Sequence, residues 1–403
     1  LSRGEEPVAD GGAAAVNRDI VLATVNARYH HASLGLRYLY ANLGELRDNA
    51  VIQEFTLEIP PAEVAERILR QRPRIVGLGV YIWNVDQVAS IAAILRAVEP
   101  GLTIVMGGPE MSCEKDLPDA ARYADHIVAG QADLCFAKLC REILSGRVSA
   151  PRFIPAPTPD LRDLELPYTY YDDQDIRNRL VYVEASRGCP FKCEFCLSSL
   201  DRTAWRFDPE RFIHELDGLY RRGVRHFKFV DRTFNLKLAD AARILEFFLA
   251  LDDDTLFLHF ELIPDRLPVG LRKYLVRFPP GTLQFEIGIQ TFNPEVQRLI
   301  SRSQDDAATA GNLAWLQRNT SAHLHADLIF GLPGEDLASF AAGFNRLYAL
   351  GPHEIQLGIL KRLRGTPIAR HQASHDLRFN PKPPYQVLST DRVDFATMRR
   401  VQR

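Results

Sequence analysis

The sequence has no run of roughly twenty apolar residues. Its longest strongly apolar stretch, 75–83, is far too short to cross a bilayer. Its start has no signal-peptide anatomy. Cysteine is scarce, six in 403 residues, which excludes a secreted disulfide framework. Together these absences make a cytoplasmic, reducing location the expectation. Glycine and proline, 25 each, are too few for a collagen-like or low-complexity chain. No repeat with a period of roughly 20–50 residues is visible. There is no RGG, RNP or zinc-finger pattern, so nucleic acid is not expected as a partner. The opening Leu1-Ser2-Arg3-Gly4 carries no Met, and the chain stops at Met398-Arg399-Arg400-Val401-Gln402-Arg403 without a clear capping element. A piece of a longer protein, truncated at its C-terminus, is therefore expected.

What is present is ordinary for a globular protein: 46% apolar residues, 25% charged residues and a net charge of −2. At about 100–200 residues per domain, this length corresponds to two or three domains. The charge is unevenly spread. Residues 361–403 hold ten Lys or Arg against three acids, which leaves the other 360 residues at −9. Such a basic end reads either as a solvated segment of a longer domain or as a site for an anion.

Hydrophobic rhythm divides the chain. Residues 1–18 read as a loose tail. Over 19–148, apolar runs at 20–26, 51–55, 75–80, 102–106 and 126–130 alternate with helical patterns. Five strands buried on both faces predict a doubly wound parallel sheet of flavodoxin or Rossmann type. No G-x-G-x-x-G follows the first strand, which disfavours a dinucleotide site. The Pro-rich stretch 149–175 reads as an extended linker. A second alternation fills 176–362, with strands at 181–185, 226–230, 256–261, 283–289, 323–330 and 354–360. Six βα units are too few for a closed eight-stranded barrel and predict a partial (βα)6 TIM-type barrel, with its site at the C-terminal strand ends. The pattern fades over 363–403.

Three cysteines, Cys113, Cys135 and Cys140, are dispersed without ligand spacing and read as small core or surface residues. The others form Cys189-Pro-Phe-Lys-Cys193-Glu-Phe195-Cys196, just past the first strand of the second alternation. Three thiolates this close converge only if the backbone loops around a common centre. Zinc would want a fourth ligand, and the nearest histidine, His214, is 18 residues further on in a predicted helix. Three thiolates without a fourth suit a [4Fe–4S] cluster with one iron open to a ligand. Structural zinc, or three unrelated free cysteines, are the alternatives.

Cys189, Cys193 and Cys196, with aromatic Phe195 before the last, resemble the cluster motif of the radical S-adenosylmethionine (SAM) superfamily. The resemblance runs on through Asp231-Arg232-Thr-Phe-Asn235, His259-Phe-Glu261, Gly288-Ile-Gln290, Arg302 and Asp327-Leu-Ile-Phe-Gly331-Leu-Pro-Gly334-Glu335. It covers 181–360 and is similar to the branch holding oxygen-independent coproporphyrinogen oxidase and the methylthiotransferases. It implies that SAM, with Phe195 in its site, binds the open iron through its methionyl amine and carboxylate. Glu261 and Arg302 would hold that methionyl end, and Gln290 and Asp327 the ribose hydroxyls. The chemistry agrees: an amine and a carboxylate call for an acid and a guanidinium, and a diol calls for amide and carboxylate acceptors.

The segments around Asn26, Arg28 and His30, around Tyr81, Trp83 and Asn84, and around Gly107, Gly108 and Glu110 resemble cobalamin-binding domains fused to radical SAM domains. That class is typified by the magnesium-protoporphyrin ester cyclases, and 356–367 resembles the start of a C-terminal domain in one subgroup of it. These nine residues are the cobalamin candidates. Gly107 and Gly108 would admit a planar ligand at the strand ends, and Tyr81 and Trp83 supply flat apolar surface. Relatives that ligate cobalt from below carry Asp-x-His-x-x-Gly, whereas here Asn26-Ala-Arg28-Tyr-His30-His31 stands in that place. No lower histidine is expected, and a buried or capping His30 is the alternative role. A flavodoxin-like domain binding a nucleotide, or nothing, is the other reading of this half.

The resemblance implies a radical SAM enzyme with a [4Fe–4S] cluster that cleaves SAM reductively and uses cobalamin to methylate an unactivated carbon. Radical cyclisation or oxidation without methyl transfer is one alternative, and a non-catalytic cofactor-binding or sensing protein another. RNA modification is a third, lacking an RNA-binding module. The expected partners are a small-molecule or peptide substrate and a one-electron donor such as flavodoxin or ferredoxin, with no membrane. No catalytic residue is singled out.

Overall fold

A computed structural model describes residues 17–403, so most of the expected tail 1–18 lies outside the described residues. The first sheet holds β1 (Ile20–Asn26), β2 (Ala50–Thr56), β3 (Ile75–Gly79), β4 (Thr103–Gly107), β5 (His126–Ala129) and β6 (Phe153–Pro155). All pairs are parallel, in the order β2-β1-β3-β4-β5-β6. Every residue of β1 is buried, as a central strand covered on both faces requires. Val21, Ala23 and Val25 pack in one core with α2 (Pro61–Leu69) and α3 (Val85–Val98). Ile20 and Leu22 pack in the other with α1 (Leu34–Ala41) and α4 (Asp133–Leu144). The sheet is thus doubly wound. Its strand order reverses between β1 and β3, and in such sheets ligands sit outside the carboxyl ends at that point.

The second sheet holds β7 (Val181–Val183), β8 (His226–Phe229), β9 (Phe257–Leu262), β10 (Leu283–Gln290), β11 (His323–Phe330) and β12 (Glu354–Ile359), again all parallel and in sequence order. Its end strands β7 and β12 do not pair with each other, so the barrel is partial and open. Burial alternates strictly along β10. Leu283, Phe285, Ile287 and Ile289 are in the core, which leaves Gln284, Glu286, Gly288 and Gln290 for the inner face.

The structure departs from the sequence reading in two segments. The Pro-rich stretch is not a free linker. Residues 153–155 add a sixth strand at the edge of the first sheet, where proline costs no ladder hydrogen bond. Beyond it, Leu161, Leu164, Leu166, Tyr168 and Tyr171 are buried in the second core. The basic end is not a solvated segment either. Ile368, Leu377, Val387, Val393 and Met398 join that same core. Buried Arg364 donates to Glu110 at 3.0 Å and to Asp116 at 2.6 Å, tying the end of the chain to the loop after β4.

The two halves also meet behind the barrel. Leu180 N–H donates to the His30 carbonyl at 2.8 Å, and the His31 ring lies 2.5 Å from the Tyr182 hydroxyl. Beside them, Arg37 of α1 bonds Glu54 of β2 at 2.8 Å and Asp175 of α5 (Asp173–Asn178) at 2.5 Å, and Arg179 reaches the same Glu54 at 3.0 Å. The Arg37, Glu54 and Asp175 side chains are each 5% exposed or less. Arg37→Ala would leave two buried carboxylates sharing only Arg179. Urea unfolding is expected to show a loss of about 3–5 kcal/mol. Arg70→Ala, which breaks an exposed pair with Glu66, should cost about 0.5 kcal/mol or less.

Candidate functional site

The cysteine loop leaves the C-terminal end of β7 and is fixed from three sides. Asp231, just after β8, accepts from Ala185 N–H at 2.9 Å and Ser186 Oγ at 2.5 Å, pinning the loop's start. Gly188 has φ +86°, and a Cβ there would lie 2.9 Å from the Ala204 nitrogen, so only glycine makes the bend. Between the second and third cysteines, the Glu194 side chain is buried and takes three donors. Ser301 Oγ and Arg370 each lie 2.5 Å from Oε1, and His371 Nε2 lies 2.9 Å from Oε2. The Glu194 amide donates to the Ile300 carbonyl, and its own carbonyl accepts from Ile368. The loop's shape is therefore set by the end of α6 (Pro294–Leu299) and by the C-terminal segment.

Cys189, Cys193 and Cys196 border one cavity of about 230 Å³ at the barrel mouth, and Phe195, Glu261, Gln290, Arg302 and Asp327 line the same space. Among the described residues no group of three or more His, Cys, Asp or Glu side chains is placed to hold a single metal ion. Sulfurs spaced around a cavity suit a cluster whose separate iron corners take one thiolate each. Burial, the largest cause, pushes the Cys189 and Cys193 thiols up. Thiolates here are costly without a positive partner, which an iron–sulfur core would supply. Arg302 lies 3.6 Å from Cys193 Sγ and is held in place by Gln304 and the Gly288 carbonyl.

The barrel's inner face makes the rest of this cavity. Pairing of β10 with β11 shifts register between Gly288 and Gln290, and Gln290 has φ +70°. The bulge re-aims Gln290 toward the cavity at the cost of backbone strain. Glu261 pairs with Arg232 at 2.5 Å, and burial holds its carboxyl above the usual range. Glu286, which the sequence motifs passed over, also lines the cavity. Its bond from His259 Nε2 at 3.0 Å holds it down at about 2. Its place two and four residues before Gly288 and Gln290 was the available signal. Asp327 goes the other way: burial first, then Glu286, Glu261 and Glu354, raises its carboxyl to about 7.

A second cavity, of about 550 Å³, lies between the C-terminal edge of the first sheet and the cysteine loop. Gly77, Gly79, Gly107 and Gly130 bring three strand ends to it as bare backbone, and Gly35 opens the start of α1. Gly108 has φ +100°, and a Cβ there would sit 2.5 Å from the Val80 carbonyl oxygen. Of the nine cobalamin candidates, only Tyr81, Gly107 and Gly108 line this cavity. Trp83 stacks on Tyr81, with rings 4.5 Å apart, while its Nε1 bonds the Val25 carbonyl. The Asn84 amide closes the β3 turn on the Val25 and Gly79 carbonyls. Asn26 bonds Glu54 and the His31 carbonyl, and Glu110 holds Arg364. Arg28 is exposed outside it, and His30 borders a separate cavity below β7. The sequence missed the polar wall opposite. There Arg187 makes two bonds to Asp133, at 2.8 and 3.1 Å, and one to Glu184 at 2.9 Å, and its guanidinium lies 4.3 Å from the Tyr38 ring centroid. Among the described residues, Arg232 alone borders both cavities.

Asp327 gives a pH signature. The folded protein holds this proton up to about 7, whereas the ordinary value is 3.8. Between those values the folded state binds the extra proton, so its contribution is complete below the lower one and is lost as pH rises through the upper. Wild type is expected to lose about 2 kcal/mol more stability than Asp327→Asn between pH 4.5 and 7.5, an order-of-magnitude figure for urea melts of the two proteins.

Residues 183–346 match the radical SAM superfamily model, and residues 20–139 match the B12 binding domain model. An uncharacterized methyltransferase of Pyrococcus horikoshii is 29% identical over 231 residues, covering 50% of this chain and 49% of the relative. The 2-(S-pantetheinyl)-carbapenam-3-carboxylate methyltransferase of Streptantibioticus cattleyicolor is 26% identical over 364 residues, 78% of this chain and 51% of that one. The cobalamin-dependent radical SAM methyltransferase TokK of Streptomyces tokunonensis is 24% identical over 374 residues, 82% of this chain and 53% of that one. The chain thus spans about half the length of these curated relatives. Among solved structures, the radical SAM methyltransferase TsrM of Kitasatospora setae, with cobalamin and a [4Fe–4S] cluster bound, superposes with a TM-score of 0.71 at 16% identity, covering 91% of this chain and 78% of that one. The cobalamin-dependent SAM radical enzyme OxsB gives 0.71 at 13% identity over 95% of this chain and 65% of its own. At these identities the superpositions show a shared fold. The chain carries a B12 binding domain followed by a domain of the radical SAM superfamily.

Proposed function

We propose that this protein is a radical SAM enzyme that holds a [4Fe–4S] cluster on Cys189, Cys193 and Cys196, cleaves SAM reductively and uses cobalamin to methylate an unactivated carbon of a small molecule or peptide. The carrying observation is the pair of cavities at facing strand ends, one bordered by three sulfurs and the other by glycine-rich ends of a doubly wound sheet, meeting at one residue. A reduced cluster supplies one electron to a bound sulfonium, and cobalamin supplies a carrier for a methyl group. The relatives named as methyltransferases favour methyl transfer over cyclisation. An external one-electron donor and a cytoplasmic location belong to the same reading.

This chain's own residues bind, orient and seclude. The Glu261 carboxylate accepts from an ammonium group, and Arg302 donates to a carboxylate. Gln290 and Asp327 bond a diol, for which a protonated Asp327 also has a proton to donate. Phe195 covers the cysteine side of the cavity. Tyr81, Gly107 and Gly108 border the larger cavity, where cobalamin would be held. The loop after β1 is committed to Leu180 and Tyr182, so His30 and His31 would not help to hold cobalamin.

Anaerobic reconstitution is expected to give about four iron and four sulfide per chain, lost together in Cys189→Ala, Cys193→Ala or Cys196→Ala. With reductant, cobalamin, SAM and substrate, both 5′-deoxyadenosine and S-adenosylhomocysteine should form. Zinc as the only metal retained, or intact SAM after full reduction, would end this reading. 5′-Deoxyadenosine alone would replace methylation with radical cyclisation or oxidation.

A further inference from the structure

Arg232 lies three residues beyond the last residue of β8, at the wall common to both cavities. Its side chain is 51% exposed, yet burial is the largest influence on its ionisation. The two facts agree if the guanidinium faces an internal chamber closely surrounded by protein rather than bulk solvent. Its hydrogen-bonded carboxylate partner is Glu261. The charges of Glu286 and Cys196 also act on it. The other arginines lining the two cavities have partners of their own. In the larger cavity Arg187 holds Asp133 and Glu184, and Gln131 holds Asp201. In the smaller one Arg302 is fastened by Gln304 and the Gly288 carbonyl.

Under the reading above, on which this inference rests, Glu261 receives the ammonium of SAM. Two cations then compete for one carboxylate. If the ammonium takes it, the guanidinium is left in a confined space without a hydrogen-bonded anion, which is unfavourable. We propose that Arg232 anchors a carboxylate of the molecule acted on, at the junction of the two cavities, and that SAM binding at Glu261 releases it to do so. The junction is the place from which one molecule can touch both cavities. A single guanidinium borders it, and its planar fork of N–H donors matches one planar monoanion. A phosphate dianion would leave its second charge uncompensated beside Glu286.

The test uses the full chain, reconstituted with its cluster, and binding calorimetry at constant ionic strength. The probes are SAM, sodium benzoate and inorganic phosphate. Benzoate is expected to tighten SAM binding about tenfold, and SAM to tighten benzoate by the same factor, since coupling is reciprocal. Phosphate should do neither. Arg232→Gln should bring the factor close to one while SAM still binds, and Arg232→Lys should keep only part of it. An undiminished factor in either variant overturns the proposal, as does equal coupling to phosphate or SAM binding in the wild type with no coupling to benzoate. If Arg232→Gln does not retain iron, Arg232→Lys decides the matter alone. Wild type that holds its cluster but binds no SAM removes both this inference and the reading beneath it.

Discussion

Arg187 is the contact on which the arrangement of the two cavities depends. It lies in the segment after β7 that leads into the cysteine loop, yet two of its hydrogen bonds go to Asp133 at the start of α4 in the first half. Its bond to Glu184 keeps it on its own side. A guanidinium in this buried position is tolerable only with its fork satisfied, and a bidentate carboxylate fixes angle as well as distance. The glycine-lined strand ends are thereby held against the loop that carries the sulfurs. The Arg37 and Arg364 clusters repeat the device at the back of the junction and at the end of the chain. In all three, an arginine joins segments far apart in sequence by holding two carboxylates at once.

This explains why the joint is polar where each half is apolar. The cores of the first sheet are built from Val, Ile, Leu and Ala on both faces, and that of the second from Phe and Leu under the helices. Ala32 and Tyr38 of the first half are buried in the second core, but apolar contact is non-directional and leaves the angle between the halves open. Ion pairs with fixed hydrogen-bond geometry do specify it. They leave between the halves a chamber with apolar walls, bare backbone and a few charges whose partners are determined.

Charge inside the barrel is arranged with equal economy. Glu286 and Asp327 lie on neighbouring strands of one small cavity, yet burial and neighbours drive their carboxyls in opposite directions. His259 stabilises the ionised form of one, and the resulting negative charge disfavours ionisation of the other. A pair of carboxyls held apart in this way offers an acceptor and a donor side by side.

The sequence by itself determined the two alternations of strand and helix, because each strand's apolar run is a local property of the chain. The three-cysteine spacing and the motifs at successive strand ends were legible for the same reason. A parallel barrel carries those ends to one mouth, and Glu261, Gln290, Arg302 and Asp327 do line one cavity with the sulfurs. The candidates of the first half were less well read. Asn84 and Glu110 stand in motif positions but make bonds that hold the fold together, while Gly77, Gly79 and Gly130 were overlooked as ordinary strand residues. The packed state of 161–171 and 363–403 was also invisible, since their buried residues follow no period. Tertiary structure alone decided what crosses between distant segments. Arg187 meets Asp133 across 54 positions, and His371 meets Glu194 across 177. Such partners leave no local pattern, because a hydrogen bond depends on where two chain segments come to rest and not on the residues that flank them.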